Sequence, residues 1–129
     1  GVDHLYLAFR GGHLAGDARL QQVAVRVQSL LPAGASAARY GGEELCVLLP
    51  GHDEAAAARV AERMRQAIAA LPADNALPEI EDIAVTASIG VAAGIPGLEQ
   101  RPDILVARAD HALYAAKAAG RNRVERAGA

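Results

Sequence analysis

Two sequence rhythms predict an α/β sandwich: a central, mainly antiparallel sheet flanked by helices. Short segments alternate apolar and polar residues, as strands with one buried face require. Between them, apolar residues fall three and four apart, the spacing of one face of a helix. The two rhythms interleave as β-α-β-β-α-β-α-β, an order that layers helices against a single sheet.

Each element has its own warrant. "HLYLAFR", His4 to Arg10, reads as the first strand, with Leu5, Leu7 and Phe9 on one face. "GGHLAG" breaks it. From Asp17, the positions Leu20, Val23, Val27 and Leu30 keep helical spacing up to "LPAGA". "SAARY" and "ELCVLLP" read as strands separated by Gly41-Gly42. A two-residue type I′ turn needs positive φ at both central positions, which two glycines supply. Pro50-Gly51 ends the second of these strands. Asp53 is placed to cap a helix reaching about Leu71, with Val60, Met64, Ile68 and Leu71 as its buried stripe. "PADNALPEIED" reads as a loop. "IAVTASIGVAAG" alternates Ile83, Val85, Ala87, Ile89 and Val91 as a strand. Pro102 suits a helix first turn and Gly120 the position just past a helix end. Leu105, Ala109, Ala112, Leu113 and Ala116 form the stripe between them. "NRVER" supplies a short last strand.

Composition narrows the function. The chain has 129 residues, 52% hydrophobic and only 3% aromatic, so the core is built from Ala, Val, Leu and Ile. A formal charge of -2 gives no electrostatic reason to expect nucleic acid or a membrane surface as partner. One cysteine, Cys46, excludes an internal disulfide and suits a reducing compartment. No segment has the pattern of a signal peptide or an apolar run long enough to span a bilayer. There is no repeat and no internal boundary, so residues 1–129 are expected to form one domain. The opening without Met, almost directly on an apolar segment, suggests a piece of a longer protein that is short at its N-terminus.

Three sets of polar residues are candidates for chemistry. Glu43 and Glu44 follow the Gly41-Gly42 turn. Mg²⁺ takes hard oxygen ligands, commonly one or two carboxylates with substrate phosphates and water. Glycine leaves backbone exposed to a close-approaching phosphate. The bland reading is a hairpin followed by solvated acids, and for these four residues alone it is the better one. Lys117 and Arg121 stand four apart, with Arg121 just beyond the helix end. On their own they read as a solvated basic helix terminus. Asp17, on its own, suits a helix N-cap.

The motifs taken together weigh more than any one alone. "ARYGGEEL", "GHLAGD", "VTASIGVA" and "ADHALYAAKAAGRNRV" occur in this order. They resemble, respectively, the GGDEF signature, the G-H-x-x-G-D motif, the T-x-S-I-G-V strand and the A-D-x-A-L-Y-x-A-K-x-x-G-R-N-R-V segment of the GGDEF family, the diguanylate cyclases of bacterial signalling. The resemblance covers nearly the whole chain. It implies a GGDEF, nucleotide-cyclase-like fold and the condensation of two GTP molecules to cyclic di-GMP across a transient homodimer. Mg²⁺ or Mn²⁺ would serve as cofactor in a two-metal displacement. It implies that Gly41 and Gly42 lie against GTP and that Glu43 and Glu44 are catalytic and metal-binding. Asp17 would hydrogen-bond guanine, and Lys117 and Arg121 would hold the triphosphate. Leu45 replaces the usual Phe. The resemblance also implies sensor or other signalling domains in the full-length protein. It places the domain in the cytoplasm, with any membrane anchor elsewhere in that protein.

The first segment departs from the family's D-I-D-H-F-K-x-x-N-D-x-x-G-H. One register aligns Val2-Asp3-His4 with I-D-H and leaves Gly1 at the metal-binding Asp, Tyr6 at the Lys and Phe9 at the guanine-reading Asn. A second makes "HLYLAFR" itself the first strand, and its alternation favours that register. Neither supplies the metal Asp or the Asn. Losing a designed partner of a guanine edge costs about 1–3 kcal/mol. Pro32 and Ala35 stand where the family's inhibitory product site has Arg and Asp. These departures imply a degenerate copy, weakly active or inactive, working as a regulatory or dimerisation module with weak GTP affinity. The alternative is an active diguanylate cyclase.

Overall fold

The computed structural model describes residues 2–10, 16–39, 44–71, 86–94 and 102–128. Their elements run β1 (Val2–Arg10), α1 (Gly16–Leu30), β2 (Ser36–Arg39), β3 (Glu44–Pro50), α2 (Glu54–Ala69), β4 (Thr86–Gly94), α3 (Pro102–Ala118) and β5 (Arg123–Arg126). This is the order the two rhythms predict. The strands form one sheet in the order β2-β3-β1-β4-β5. Every described pairing is antiparallel except β4 with β5.

The sheet has a helix layer on each face. On β3 burial alternates: Leu45, Val47 and Leu49 are buried, whereas Glu44, Cys46 and Leu48 on the other face are half-buried. The first set joins Val23 and Val27 of α1 and Val60, Met64 and Ile68 of α2 in the larger core. Ala87, Ile89 and Val91 of β4 complete it. Ala109 and Leu113 of α3 pack on the opposite face with Ala92, and Cys46 lies against that cluster. Cys46 is thus a half-buried residue at the edge of the α3 layer rather than a core residue proper.

α3 approaches the sheet closely because β4 carries Gly90. A Cβ built there would stand 2.1 Å from the Ala109 carbonyl oxygen and 2.3 Å from the Leu113 nitrogen. β4 is covered on both sides, so Ser88, Gly90 and Ala92 are buried along with Ala87, Ile89 and Val91. The alternation predicted one buried face, and the central position of the strand buries both. Ile83 and Val85 lie outside the described residues, as does the loop read at "PADNALPEIED".

The element ends follow the predicted punctuation, with two corrections. Asp53 caps α2, its carboxylate accepting from the Ala56 N–H at 2.8 Å. Gly51 turns at φ +78 after Pro50. α2 stops at Ala69, so Leu71 packs from just beyond the helix rather than within its stripe. α1 begins at Gly16, which puts Asp17 inside the first turn instead of at the cap.

Candidate active site

β1 spans the whole "HLYLAFR" segment, so the structure agrees with the second register. Five residues, 11–15, with His13 among them, join β1 to α1 and lie outside the described residues. Ala8 pairs with Glu44 across β1 and β3. Asp3 pairs with Leu49 and Ala93, toward the other end of the strand. It is five residues from Ala8, about 17 Å of extended chain.

The hairpin differs from the expectation by one residue. A two-residue turn over Gly41-Gly42 would set Arg39 opposite Glu44. The observed partner of Arg39 is Leu45, and the same offset holds through Ala38–Cys46, Ala37–Val47 and Ser36–Leu48. The connection therefore holds one residue more than a two-residue type I′ turn needs. A one-residue change of register exchanges the faces of a strand, and here it sets Ala37 across from buried Val47, where it packs on the core. Gly41, Gly42 and Glu43 lie outside the described residues.

Glu44 opens β3 on the face covered by α3. Asp110 and Lys117 stand seven apart on α3, two turns and one face. Asp110 opens to solvent, yet its carboxyl is pushed above the ordinary carboxylate range. Partial burial is the main cause, the negative charge of Glu44 adds to it, and Lys117 opposes it. Burial pushes the Cys46 thiol up as well, helped by the charge of Asp110. The structure thus brings Glu44, Asp110, Lys117 and Cys46 into one electrostatic neighbourhood. Asp110 had no assigned role in the sequence. Its signal was its place in the A-D-x-A-L-Y segment, two helical turns before Lys117.

Arg121 is held by the way α3 ends. Its N–H donates to the Ala116 carbonyl at 2.9 Å and the Gly120 N–H to the Lys117 carbonyl at 3.4 Å. This pair of bonds is the Schellman motif, with Gly120 at φ +121 as its left-handed residue. The left-handed path continues through Arg121 (φ 64) and Asn122 (φ 47). Arg121 is therefore placed by a reversal of the chain, not by helical spacing from Lys117. Lys117 and Arg121 are both half-buried. The Arg121 Nε is removed from solvent and has no hydrogen-bond partner among the described residues. Leaving such a donor unpaired costs about 1–3 kcal/mol. That part of the cost, for Nε, is thus already met before an anion reaches it.

His52, His111 and the product-site positions are engaged in or beside ordinary turns and helices. His52 shares a hydrogen bond with the Pro50 carbonyl at 3.0 Å, and His111 is exposed on α3. Pro32 and Ala35 close the turn after α1, the Ala35 N–H donating to the Pro32 carbonyl at 3.0 Å. Among the described residues no group of three or more His, Cys, Asp or Glu side chains is arranged to hold a metal ion. No helix described is long and apolar enough to cross a membrane.

The family model "Diguanylate cyclase, GGDEF domain" matches residues 9–123. The chain belongs to the GGDEF family. It is 43% identical over 113 residues to Diguanylate cyclase A of Treponema denticola, covering 88% of this chain and 29% of that protein. It superposes on the active GGEEF domain of a diguanylate cyclase from Vibrio cholerae with a TM-score of 0.85, at 26% identity, over 99% of this chain and 83% of that one. The GGDEF domain of DgcB from Caulobacter crescentus, solved in complex with c-di-GMP, gives 0.84 at 29% identity over 98% and 78%. The chain spans a third or less of the length of curated relatives it matches, from 33% down to 16%. The family match starts at residue 9, near the end of β1, so residues 1–8 of the departing segment lie outside it and Phe9 lies within it.

Proposed function

We propose that this is a GTP-binding GGDEF domain with weak or no cyclase activity, acting as a regulatory or dimerisation module within a longer cytoplasmic signalling protein. One observation carries this reading. The end of β1 that adjoins Glu44 offers Ala8, and the one acid of the strand, Asp3, sits toward the far end. A metal site there depends on the acids after the turn, substrate phosphates and water.

The phosphate side supports retained GTP binding. Lys117 and Arg121 present two cations, and Arg121 carries a donor already withdrawn from water. Gly41 and Gly42 would let backbone lie against the nucleotide, and Asp17 would meet guanine. A divalent cation fits the residues in part: Glu44 and Asp110 raise a negative field between them that a cation would relieve. Mg²⁺ or Mn²⁺ would be held by Glu43 and Glu44, and when bound it would neutralise charge at the triphosphate and the attacking hydroxyl. Sensor domains, where the full protein has them, would set the pairing of two such domains.

An active cyclase is the second reading. It is favoured by the "GGEE" that this chain shares with the active GGEEF domain of the Vibrio cholerae enzyme. The two readings separate when the full chain is incubated with GTP and Mg²⁺ or Mn²⁺. The expected result is GTP binding by calorimetry with little or no cyclic di-GMP. Robust product that disappears in Glu44→Ala would sink the degenerate reading.

A further inference from the structure

The left-handed step at Arg121 and Asn122 is braced from a helix on the opposite face of the sheet. Arg65 of α2 donates from Nη1 to the Asn122 side-chain oxygen at 2.9 Å. The same guanidinium grips Glu62 through Nε at 2.7 Å and Nη2 at 2.6 Å, and Gln66 donates to Glu62 at 3.0 Å. Such a fork fixes the orientation of an arginine plane as well as its position. Glu62 is held below the ordinary carboxylate range, first by its hydrogen bond from Arg65.

This bracing has work to do. Asn tolerates positive φ, but Arg rarely adopts it, and a non-glycine residue there costs about 1–2 kcal/mol. Such a conformation persists where its surroundings over-determine it. At Arg121 the N–H is bonded to Ala116, the carbonyl accepts from the Arg123 Nε at 3.2 Å, and the next side chain is held by Arg65. The strained residue is the one whose guanidinium is half-buried with an unpartnered Nε.

We propose that Arg65, oriented by Glu62, is a positioning residue that acts through Asn122 to aim Arg121 at the triphosphate. The inference rests on Arg121 as a phosphate-binding residue, and it extends the site to α2, which carries none of the family's motifs quoted above.

The test is a double-mutant cycle on the full chain, with a non-hydrolysable GTP analogue and Mg²⁺ followed by calorimetry. Arg65→Met keeps the side-chain stem and should weaken binding about fivefold, the value of one net hydrogen bond. In an Arg121→Ala background the same change should have no further effect. Asn122→Gly removes the acceptor, still permits positive φ and leaves the Arg65–Glu62 pair intact; it should reproduce the loss. A general loss of stability would weaken binding equally in both Arg121 backgrounds, and that result overturns the proposal. So does an Arg65→Met protein that binds as tightly as the wild type while Arg121→Ala is weakened. If the wild type binds no analogue, or Arg121→Ala binds as tightly as the wild type, the phosphate reading falls and this inference falls with it.

Discussion

The end of α3 carries Arg121 and the end of β1 adjoins Glu44, and the two differ in how much structure specifies them. Arg121 is fixed by a Schellman motif, a run of positive φ and hydrogen bonds from Arg123 and, through Asn122, Arg65. Changing any of these would disturb the chain path. What the structure describes at the end of β1 is backbone pairing with β3 and β4. Ala8 satisfies the ladder as well as an acid would, because strand hydrogen bonds involve no side chain. A metal-binding residue at such a place can be lost without cost to the fold. A phosphate-binding residue woven into a helix end is harder to lose. On the function proposed above, this chain keeps the phosphate side and thins the metal side.

The comparison breaks most readily at the contact that seats α3. Gly90→Ala would drive a Cβ against the backbone of Ala109 and Leu113, at 2.1 and 2.3 Å, where no side chain can swing aside. Overpacking of this kind should cost about 3 kcal/mol or more, read as a lowered midpoint in chemical denaturation. Lys117 and Arg121 ride on this helix, so GTP binding should fall with it. An unchanged midpoint would mean that α3 sits further from β4 than described.

The thin side can be rebuilt. Ala8 and Glu44 are a directly opposed antiparallel pair, a geometry that sets Cβ atoms about 4.5–5.5 Å apart. Ala8→Asp would add a carboxylate beside the acid already there. Without metal the like charges repel, so stability should drop slightly; with Mn²⁺ the affinity should rise about tenfold or more, since unit charges at this range interact by several kcal/mol even when screened. Titration calorimetry measures both proteins. Equal Mn²⁺ affinity would show that the missing acid belongs at another position.

How much of this was legible in the sequence depends on range. Caps, stripes and element order were readable because they are local: Asp53, Gly120, the α3 stripe and the strand at His4–Arg10 all stand where their spacing puts them. The register of β2 on β3 was not. Gly41-Gly42 promises a two-residue turn, but the ladder carries one residue more. The double-sided burial of β4 was hidden because Ser, Gly and Ala on its α3 face look polar or neutral in sequence. Asp110 and Arg65 were missed for a related reason. Each looks like an ordinary exposed helix charge until a partner far away in the chain, Glu44 or Asn122, is brought beside it.

Asp110 also gives the finest test of the contrast, through pH. Its folded carboxyl titrates above the ordinary range because burial and Glu44 disfavour its charge more than Lys117 favours it. The folded state therefore holds this proton longer than the unfolded chain does. Stability contributed by the neutral form is full below the unfolded value, declines as pH rises toward the folded value, and stays lost above it. Asp110→Asn removes the charge and should raise the melting temperature near neutral pH by about 1–2 °C, a small effect because the group is solvated. At about pH 3 both proteins are neutral at this position, and the gain should vanish. Glu44→Gln should shrink the neutral-pH gain by removing a like charge that acts on Asp110. A gain of equal size at both pH values would trace to the helix preferences of Asp and Asn, and the negative field proposed to draw a cation would lose its support.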